Sequence, residues 1–315
     1  MSSGEARVGV LVMAHGTPQA TEEIEPFYTR IRRGSPPSPE QLADLEARYE
    51  RIGGVSPLAL RTQAQVDGLA AQLAAAAPDR YYVAYGAKHA APFVEDAARE
   101  LADAGCREVV GLVLTPHGSS RGAGEYLARA ADALGAHPSG PAFHPVPQWY
   151  DAPGFAELIG RRVSAALAAL THQAAARATV IFSAHSVPER VVSAGDRYPD
   201  EVAESAARAA AAARLGGADW CVAWQSAGRT PEPWLGPALL DVICERARSG
   251  ASAVVVCPIG FVSDHLEVLF DLDVEASGVA EQAGITFART ASLNDDPTFL
   301  SILAGVVRAA DSGGA

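Results

Sequence analysis

The sequence contains few cysteines, and their spacing excludes two common kinds of site. Only four of the 315 residues are cysteines, at positions 106, 221, 244 and 257. They are widely separated and lie mostly in apolar surroundings, so they form neither a disulfide framework nor a zinc-binding pattern. We expect four reduced thiols in the interior of the protein.

Long apolar runs are also absent. No stretch approaches the roughly 20 apolar residues that a helix needs to span a bilayer. The first five residues, from Met1 to Glu5, lack the basic and apolar regions of a signal peptide. We therefore expect a cytoplasmic protein without membrane insertion.

Positive charge is in short supply. Lysine and arginine number 25 against 37 aspartates and glutamates, which gives a formal net charge of −12. This balance argues against nucleic acid as a partner, and any anionic ligand must be bound by a local basic patch. Hydrophobic residues make up 49% of the chain, enough for the substantial core of two ordinary domains or one large α/β unit.

Predicted strands and helices alternate along the whole chain. The strands are predicted at residues 7–13, 81–85, 108–114, near 143, 179–183, 220–224, 254–257 and 285–290. Helical patterns separate them, so the fold class is α/β, with parallel sheets wrapped by helices.

Histidines follow several of these strands. Three similar strings each place a histidine just past an apolar strand, at His15, His117 and His185. His89 also follows a predicted strand, and the carboxyl ends of parallel strands are where α/β sheets bind ligands. The repeat indicates two related lobes, which we assign to residues 1–117 plus 294–315 and to residues 118–293.

An acidic series follows the apolar strand at residues 254–257. Glu267, Asp271 and Glu275 recur every four residues, on a helix for which Ser263 is the predicted N-cap. Four residues of an α-helix turn through about 400°, so successive carboxylates drift by about 40°. A local π-bulge would reduce that drift, and such bulges tend to occur at functional sites.

This acidic row has two interpretations. A solvated acidic helix face is the simpler one. The row nevertheless begins just past the carboxyl end of a strand, and His265 lies two residues before Glu267. Hard oxygen ligands at such a place suit a divalent cation.

His185 is the second candidate for chemistry. A neutral imidazole at the end of an apolar strand can accept a proton or bind a metal. It can equally be a histidine whose polar atoms are satisfied by the backbone of a loop. Neither His185 nor Glu267 belongs to a dense metal motif such as His-Glu-x-x-His, so the pair predicts a site that holds metal transiently.

A basic cluster stands out against the acidic background. Arg32 and Arg33 are adjacent, and Arg48 and Ser56 follow nearby, Ser56 in a glycine-containing loop. Carboxylates are natural partners for arginine, whose planar fork binds them in a bidentate manner. The alternative is a solvated helix end.

Five separated motifs, in this order, resemble the ferrochelatase family, closest to the coproporphyrin enzymes of Gram-positive bacteria. They are residues 31–34, 53–58, 183–189, 224–226 with 230–237, and 260–269. The resemblance runs from about residue 8 to the end of the chain. It implies a chelatase fold of two Rossmann-like lobes with a porphyrin cleft between them, and insertion of Fe²⁺, as substrate, into the macrocycle.

The resemblance also implies roles for individual residues. His185 and Glu267 match an inner metal site that accepts the pyrrole protons. Asp271 and Glu275 match an outer, hydrated site for a second divalent cation. The positions that match the family's binding groups for the porphyrin's propionates and edge are Arg32, Arg48, Tyr49, Ser56 and Tyr126, and we add the neighbouring Arg33.

Two departures from the family pattern affect these expectations. Where relatives carry a tyrosine that ligates the product iron, this chain has His15, whose neutral imidazole would bind iron with a different strength. Some relatives bind an iron–sulfur cluster through cysteines near the carboxyl terminus. No cysteine follows Cys257 here, so we predict no cluster.

The substrate expected from the sequence is coproporphyrin III. Residues 34–40 are polar and proline-rich, without the apolar lip of relatives that use protoporphyrin IX at a membrane. The rivals are a protoporphyrin IX ferrochelatase, a sirohydrochlorin cobalt chelatase, which would lack the motifs at 32–33 and 234–237, and a two-lobed tetrapyrrole-binding protein without chemistry. We expect a monomer, and no motif identifies a donor of iron.

Overall fold

The computed structural model describes residues 7–228 and 230–312, which form two compact α/β units. The first unit comprises the chain up to Trp149 and again from Asn294, and the second comprises Tyr150–Leu293. Each unit contains one four-stranded sheet. The predicted α/β fold class is confirmed.

The first sheet is entirely parallel. Its strands are β1 (Val8–Ala14), β2 (Tyr81–Ala87), β3 (Glu108–Val113) and β4 (Ala142–Val146), in the order β2-β1-β3-β4. All seven residues of β1 are buried. This explains its continuous apolar sequence, because a central parallel strand is covered on both faces. The helices before and between these strands are α1 (Ile24–Ile31), α2 (Pro39–Arg51), α3 (Leu58–Ala76), α4 (Val94–Asp103) and α5 (Ala123–Gly135).

The second sheet repeats the topology of the first. Its strands are β5 (Ala178–His185), β6 (Trp220–Gln225), β7 (Ala253–Cys257) and β8 (Thr286–Arg289), in the parallel order β6-β5-β7-β8. Its helices are α6 (Phe155–Ala168), α7 (His172–Ala175), α8 (Glu189–Ser193), α9 (Tyr198–Ala212), α10 (Leu239–Arg248), α11 (Leu266–Phe270) and α12 (Ser277–Gln282), and a π-helical turn, Asp271–Ala276, joins the last two. The equal strand order agrees with the repeat seen in the sequence.

The first boundary between the units differs from the predicted one. Residues 118–149 were assigned to the second lobe, but they belong to the first unit. The physical reason is that β4 pairs with β3, with Val109 opposite Phe143, and α5 packs in the same hydrophobic core as α4. The chain returns to the first unit at Asn294, and helix α13 (Pro297–Ser312) completes it.

Helix α10 begins only at Leu239, after a segment that contains two prolines. Residues before it run beside β6, where the Trp224 amide donates to the Pro237 carbonyl at 2.9 Å. Prolines at 233 and 237 lack the amide hydrogen that a helix interior requires. Across residues 7–228 and 230–312, the structure contains no helix long and apolar enough to cross a membrane.

Candidate active site

The candidate site in the second unit begins at His185, the last residue of β5. Its Nδ1 lies 2.6 Å from the carbonyl oxygen of Ser186, so a hydrogen on Nδ1 leaves Nε2 available to other groups. The Tyr198 hydroxyl donates to the backbone carbonyl of His185 at 3.0 Å. These two contacts fix both the ring and the backbone at the carboxyl end of the strand.

A close approach of two backbone segments brings the loop after β7 to the same place. Gly260 packs directly against Ala184, and a Cβ atom at position 260 would lie 2.7 Å from that of Ala184. The amide of Gly260 also donates to the Ser183 carbonyl at 3.2 Å. Only glycine therefore fits here, and its small size allows the following helix to start beside His185.

Helix α11 is capped by His265. Its Nδ1 accepts a hydrogen bond from the Glu267 amide at 3.0 Å, and its backbone is extended, as an N-cap requires. The predicted cap, Ser263, is wrong, because the helix starts two residues later than the sequence suggested. The Ser263 side chain is instead buried in the loop before the cap.

An apolar row sets the rotation of this acidic helix. Val268, Leu272, Ala276 and Ala280 are spaced by four and fully buried, and they share a core with Val254 and Val256 of β7. Burial of a Val or Leu side chain contributes about 1.5–3 kcal/mol. Each acidic residue precedes a member of this row, so packing of the apolar row fixes the direction of the carboxylates.

The segment Asp271–Ala276 is π-helical, and the sequence analysis considered a local π-bulge in this helix. An α-helical step of four residues overshoots a full turn. A π-helix contains more residues per turn, so the same step within it falls short. The overshoot between Glu267 and Asp271 and the shortfall between Asp271 and Glu275 partly cancel, which keeps the row in line.

His185 and Glu267 are brought together by these elements. Nε2 of His185 lies 3.5 Å from Oε1 of Glu267. Burial lowers the pKa of His185, but the Glu267 carboxylate, the Ser186 carbonyl and the charge of Asp271 outweigh it and raise the pKa to about 9. The imidazole is therefore a stronger base than an ordinary histidine.

Asp271 is held by the end of β6. The Ser226 hydroxyl donates to Oδ2 of Asp271, which is only 8% exposed. Ser226 has φ 57°, a left-handed conformation that costs energy for a residue with a side chain. The Gln225 side chain donates to the Glu267 carbonyl at 2.9 Å and accepts from the Ser183 hydroxyl at 2.8 Å, so it connects β5 to the acidic helix.

Glu275 lies on the π-helical turn and is partly buried. Within residues 7–228 and 230–312, no three or more His, Cys, Asp and Glu side chains are grouped so that they could hold a metal ion. The row is a line of separate carboxylates.

The first unit also ends its central strand at a histidine. His15 follows β1, and its ring lies 4.8 Å from the ring of His89, centroid to centroid, and 5.8 Å from that of Phe27. The His89 amide donates to the His15 carbonyl at 3.0 Å. Two imidazoles are therefore adjacent at the carboxyl ends of β1 and β2.

Basic side chains lie around this histidine pair, and two of them, Lys88 and Arg129, form ion pairs with Glu125 and Glu95. Burial is the main cause that lowers the pKa of His89 to about 3, and His15, Lys88, Arg129 and Arg30 lower it further. His89 is consequently neutral at physiological pH. The Lys88 ammonium lies 5.0 Å from the centroid of the Tyr126 ring.

The three predicted arginines lie at or near the ends of the first two helices. Arg33 is exposed and lies 3.8 Å from Glu125, while Arg48 lies 3.2 Å from Asp44. The Arg32 guanidinium lies 5.6 Å from the Tyr28 ring centroid, and its Nε donates to the Ser35 carbonyl at 3.2 Å. Such exposed contacts are weak, so anionic ligands can compete for these side chains.

The remaining predicted residues of the first unit are buried. Tyr49, Ser56 and Tyr126 are 3%, 6% and 7% exposed. The Ser56 hydroxyl accepts from the Leu58 amide at 3.2 Å at the start of α3, and burial raises the pKa of Tyr126. In this structure these three side chains therefore expose little surface to a ligand.

The contacts of several residues that the sequence had drawn attention to were not predicted. Gln225 and Ser226 contact the acidic helix, His265 caps it, and the His89 ring lies beside that of His15. Most follow directly after a strand, so the rule that ligands collect at strand carboxyl ends could have selected them.

Comparisons with known proteins identify the family of this chain. The sequence profile of the ferrochelatase family matches residues 7–311. The coproporphyrin III ferrochelatase of Geobacillus kaustophilus is 43% identical over 304 residues, covering 95% of this chain and 94% of that protein. The ferrochelatase of Herpetosiphon aurantiacus is 41% identical over 302 residues, covering 96% and 98%.

A solved structure, SirB from Bacillus subtilis with Fe³⁺, has a TM-score of 0.58 at 11% identity and covers 98% of both chains. At that identity the likeness concerns the fold alone, which is the chelatase fold expected from the sequence. The profile match extends over nearly the whole chain, and the sequence relatives exceed 40% identity. The chain is therefore a metal chelatase that belongs to the ferrochelatase family.

Proposed function

We propose that this protein inserts Fe²⁺ into coproporphyrin III. The observation that carries the proposal is the His185–Glu267 pair, a strongly basic imidazole beside a carboxylate at the carboxyl end of β5. The names of the relatives support the choice of substrate, since the Geobacillus kaustophilus protein is a coproporphyrin III ferrochelatase.

Metallation makes two chemical demands. Two pyrrole N–H protons must leave the macrocycle, and hydrated iron must exchange water for the four pyrrole nitrogens. With a pKa of about 9, the His185 imidazolium first releases a proton to solvent, and the neutral ring then accepts a pyrrole proton at Nε2, the nitrogen that faces Glu267. Each proton then passes to solvent before the next transfer.

Delivery of the metal is assigned to the acidic row. Carboxylates bind hydrated divalent cations through hard oxygen ligands. Asp271 and Glu275 form an outer site, occupied by a second divalent cation, and Glu267 with His185 forms the inner one. Each assigned site supplies two protein ligands, which suits a metal that is passed on to the porphyrin.

The porphyrin carboxylates are assigned to the first unit. Arg32, Arg33 and Arg48 are basic side chains at or near the ends of the first two helices, and their guanidinium groups are suited to bind propionates. Each charge-assisted hydrogen bond contributes about 1.5–3 kcal/mol. Ser56, Tyr49 and Tyr126 support the edge of the macrocycle, and His15 ligates the iron of the product.

An iron–sulfur cluster is bound by about four cysteine thiolates. The distribution of the four thiols in this chain supports a protein without such a cluster. Cys106 lies in the first unit and the other three in the second. Burial raises the pKa of Cys257 to about 12, which disfavours its thiolate. We further propose that the protein acts as a cytoplasmic monomer.

The test compares porphyrins under anaerobic conditions with Fe²⁺ in detergent-free buffer. We expect kcat/KM for coproporphyrin III to exceed that for protoporphyrin IX by at least tenfold. Arg32→Gln is expected to reduce this preference, whereas Arg107→Gln, at the exposed amino end of β3, is the matched control and leaves it unchanged.

Each alternative has its own result. Equal values, or a preference for protoporphyrin IX, contradict the substrate assignment. Cobalt insertion into sirohydrochlorin without reaction of coproporphyrin identifies the cobalt chelatase. Tight porphyrin binding without insertion of any metal identifies a binding protein.

A further inference from the structure

Arg289 contacts two aspartates that flank Glu267 and Asp271 in the sequence, one before Glu267 and one after Asp271. It is the last residue of β8, and its side chain is 17% exposed. Its Nε and Nη2 donate to the two carboxylate oxygens of Asp273 at 2.6 and 3.0 Å. Nη2 also lies 3.3 Å from Oδ1 of Asp264.

The two carboxylates belong to different parts of the acidic segment. Asp264 directly precedes the capping residue His265, and its Oδ1 also accepts from the Ser292 hydroxyl at 2.7 Å. Asp273 lies within the π-helical turn, two residues after Asp271. Two residues correspond to about half a helical turn, so Asp273 and Asp271 point in roughly opposite directions.

This geometry matters because a π-helix is intrinsically unfavourable. It is rare in proteins and persists only where its surroundings hold it. If the turn at Asp271–Ala276 became α-helical, the residues after Asp271 would rotate relative to Glu267, and Asp273 would leave the guanidinium. A bidentate ion pair, in which the Arg289 side chain is 17% and the Asp273 side chain 40% exposed, opposes that rotation.

We propose that Arg289 is a positioning residue for metal delivery. It holds the π-helical turn in the rotation that keeps Asp271 and Glu275 in line with Glu267, without contacting the metal itself. The inference rests on the proposed function, because it assumes that this row carries the metal. Lysine cannot replace arginine here, since an ammonium lacks the planar fork that binds both oxygens.

The test measures the iron dependence of the initial rate at saturating porphyrin in Arg289→Lys and Arg289→Gln. Loss of an outer residue that orients metal ligands lowers metal affinity or activity by about 10–100-fold. We expect the KM for Fe²⁺ to rise about tenfold, with kcat within threefold and the KM for porphyrin unchanged. Arg208→Gln is the control, because it removes an exposed ion pair with Glu204 on α9 of the same unit.

A purely structural role gives a different result. If the variant only folds less well, the apparent kcat and the melting temperature both fall, but the KM for Fe²⁺ keeps its wild-type value. An iron KM within twofold of wild type in a folded Arg289→Lys protein overturns the proposal. If Arg289→Gln does not fold, Asp273→Asn, which keeps the volume and removes the charge, is expected to raise the iron KM in the same direction.

A second measurement separates this inference from the proposed function. Calorimetric titration of the porphyrin-free protein with Co²⁺ reports metal binding without turnover. If wild type inserts no metal into any porphyrin, the proposed function fails. Weaker Co²⁺ binding by Arg289→Lys than by Arg208→Gln still supports the role of Arg289, and equal binding overturns it.

Discussion

The two sheets end their central strands in the same way but in different surroundings. β1 leads to His15 and β5 ends at His185, at equivalent positions in sheets of equal strand order. His185 faces Glu267, and its pKa rises to about 9. Beside His15, burial is the main cause that lowers the pKa of His89 to about 3, and nearby basic side chains contribute less.

This contrast explains how one topology can serve two tasks. A strand end places an imidazole at the edge of the sheet where ligands bind. The elements around it then decide its chemistry. The acidic helix after β7 raises the pKa of His185, whereas the ring beside His15, that of His89, is kept neutral mainly by burial.

The largest expected effect comes from removal of the basic histidine. His185→Ala should lower turnover at least hundredfold, since general acid–base catalysis contributes about 10²–10⁴. Porphyrin binding should stay within about tenfold. The rate of porphyrin fluorescence loss with Fe²⁺ measures the first quantity, and His172→Ala, at an exposed position on α7, is the control. A variant that keeps more than a tenth of the wild-type rate contradicts the assignment.

The second prediction would make the two histidine environments alike. In Glu267→Gln the largest favourable charge is lost, so burial should bring the pKa of His185 from about 9 to its ordinary value or below. NMR titration of the His185 ring in metal-free protein measures this change. A pKa that stays near 9 would show that Glu267 is not its cause.

The same change alters the pH dependence of stability, and its sign can be stated. A raised pKa in the folded state stabilises the protein fully below the unfolded value of about 6.5, and this contribution is lost as the pH rises toward about 9. Wild type should therefore lose free energy of unfolding across this window. Glu267→Gln should lose less, as measured by urea denaturation at several pH values.

The smallest effect is expected at the first strand end. His15→Ala should change the absorption spectrum of the bound ferric porphyrin and speed product release, with the insertion rate within about threefold. His15→Tyr, which introduces the residue expected from the family resemblance, should give a different spectrum again, because tyrosinate is an anionic ligand. Identical spectra from pH 6 to 9 for all three proteins would exclude axial ligation by His15.

Much of this architecture could be read from local patterns. The alternation of apolar strands and helices predicted two parallel sheets, because a strand covered on both faces must be apolar throughout. The spacing of Glu267, Asp271 and Glu275 indicated one helix face. The sequence also predicted that histidines follow the strands, because the end of a strand depends on residues that are neighbours in the sequence.

Tertiary structure decided what depends on distant residues. The assignment of residues 118–149 to the first unit follows from pairing between β3 and β4, which no local pattern reports. His265, rather than Ser263, caps the acidic helix because the loop packs against Ala184. The pKa values of His185 and His89 diverge because carboxylates of the acidic helix face His185, whereas burial is the main cause of the low pKa of His89. Sequence thus determined which side chains stand at the strand ends, and packing determined their charge.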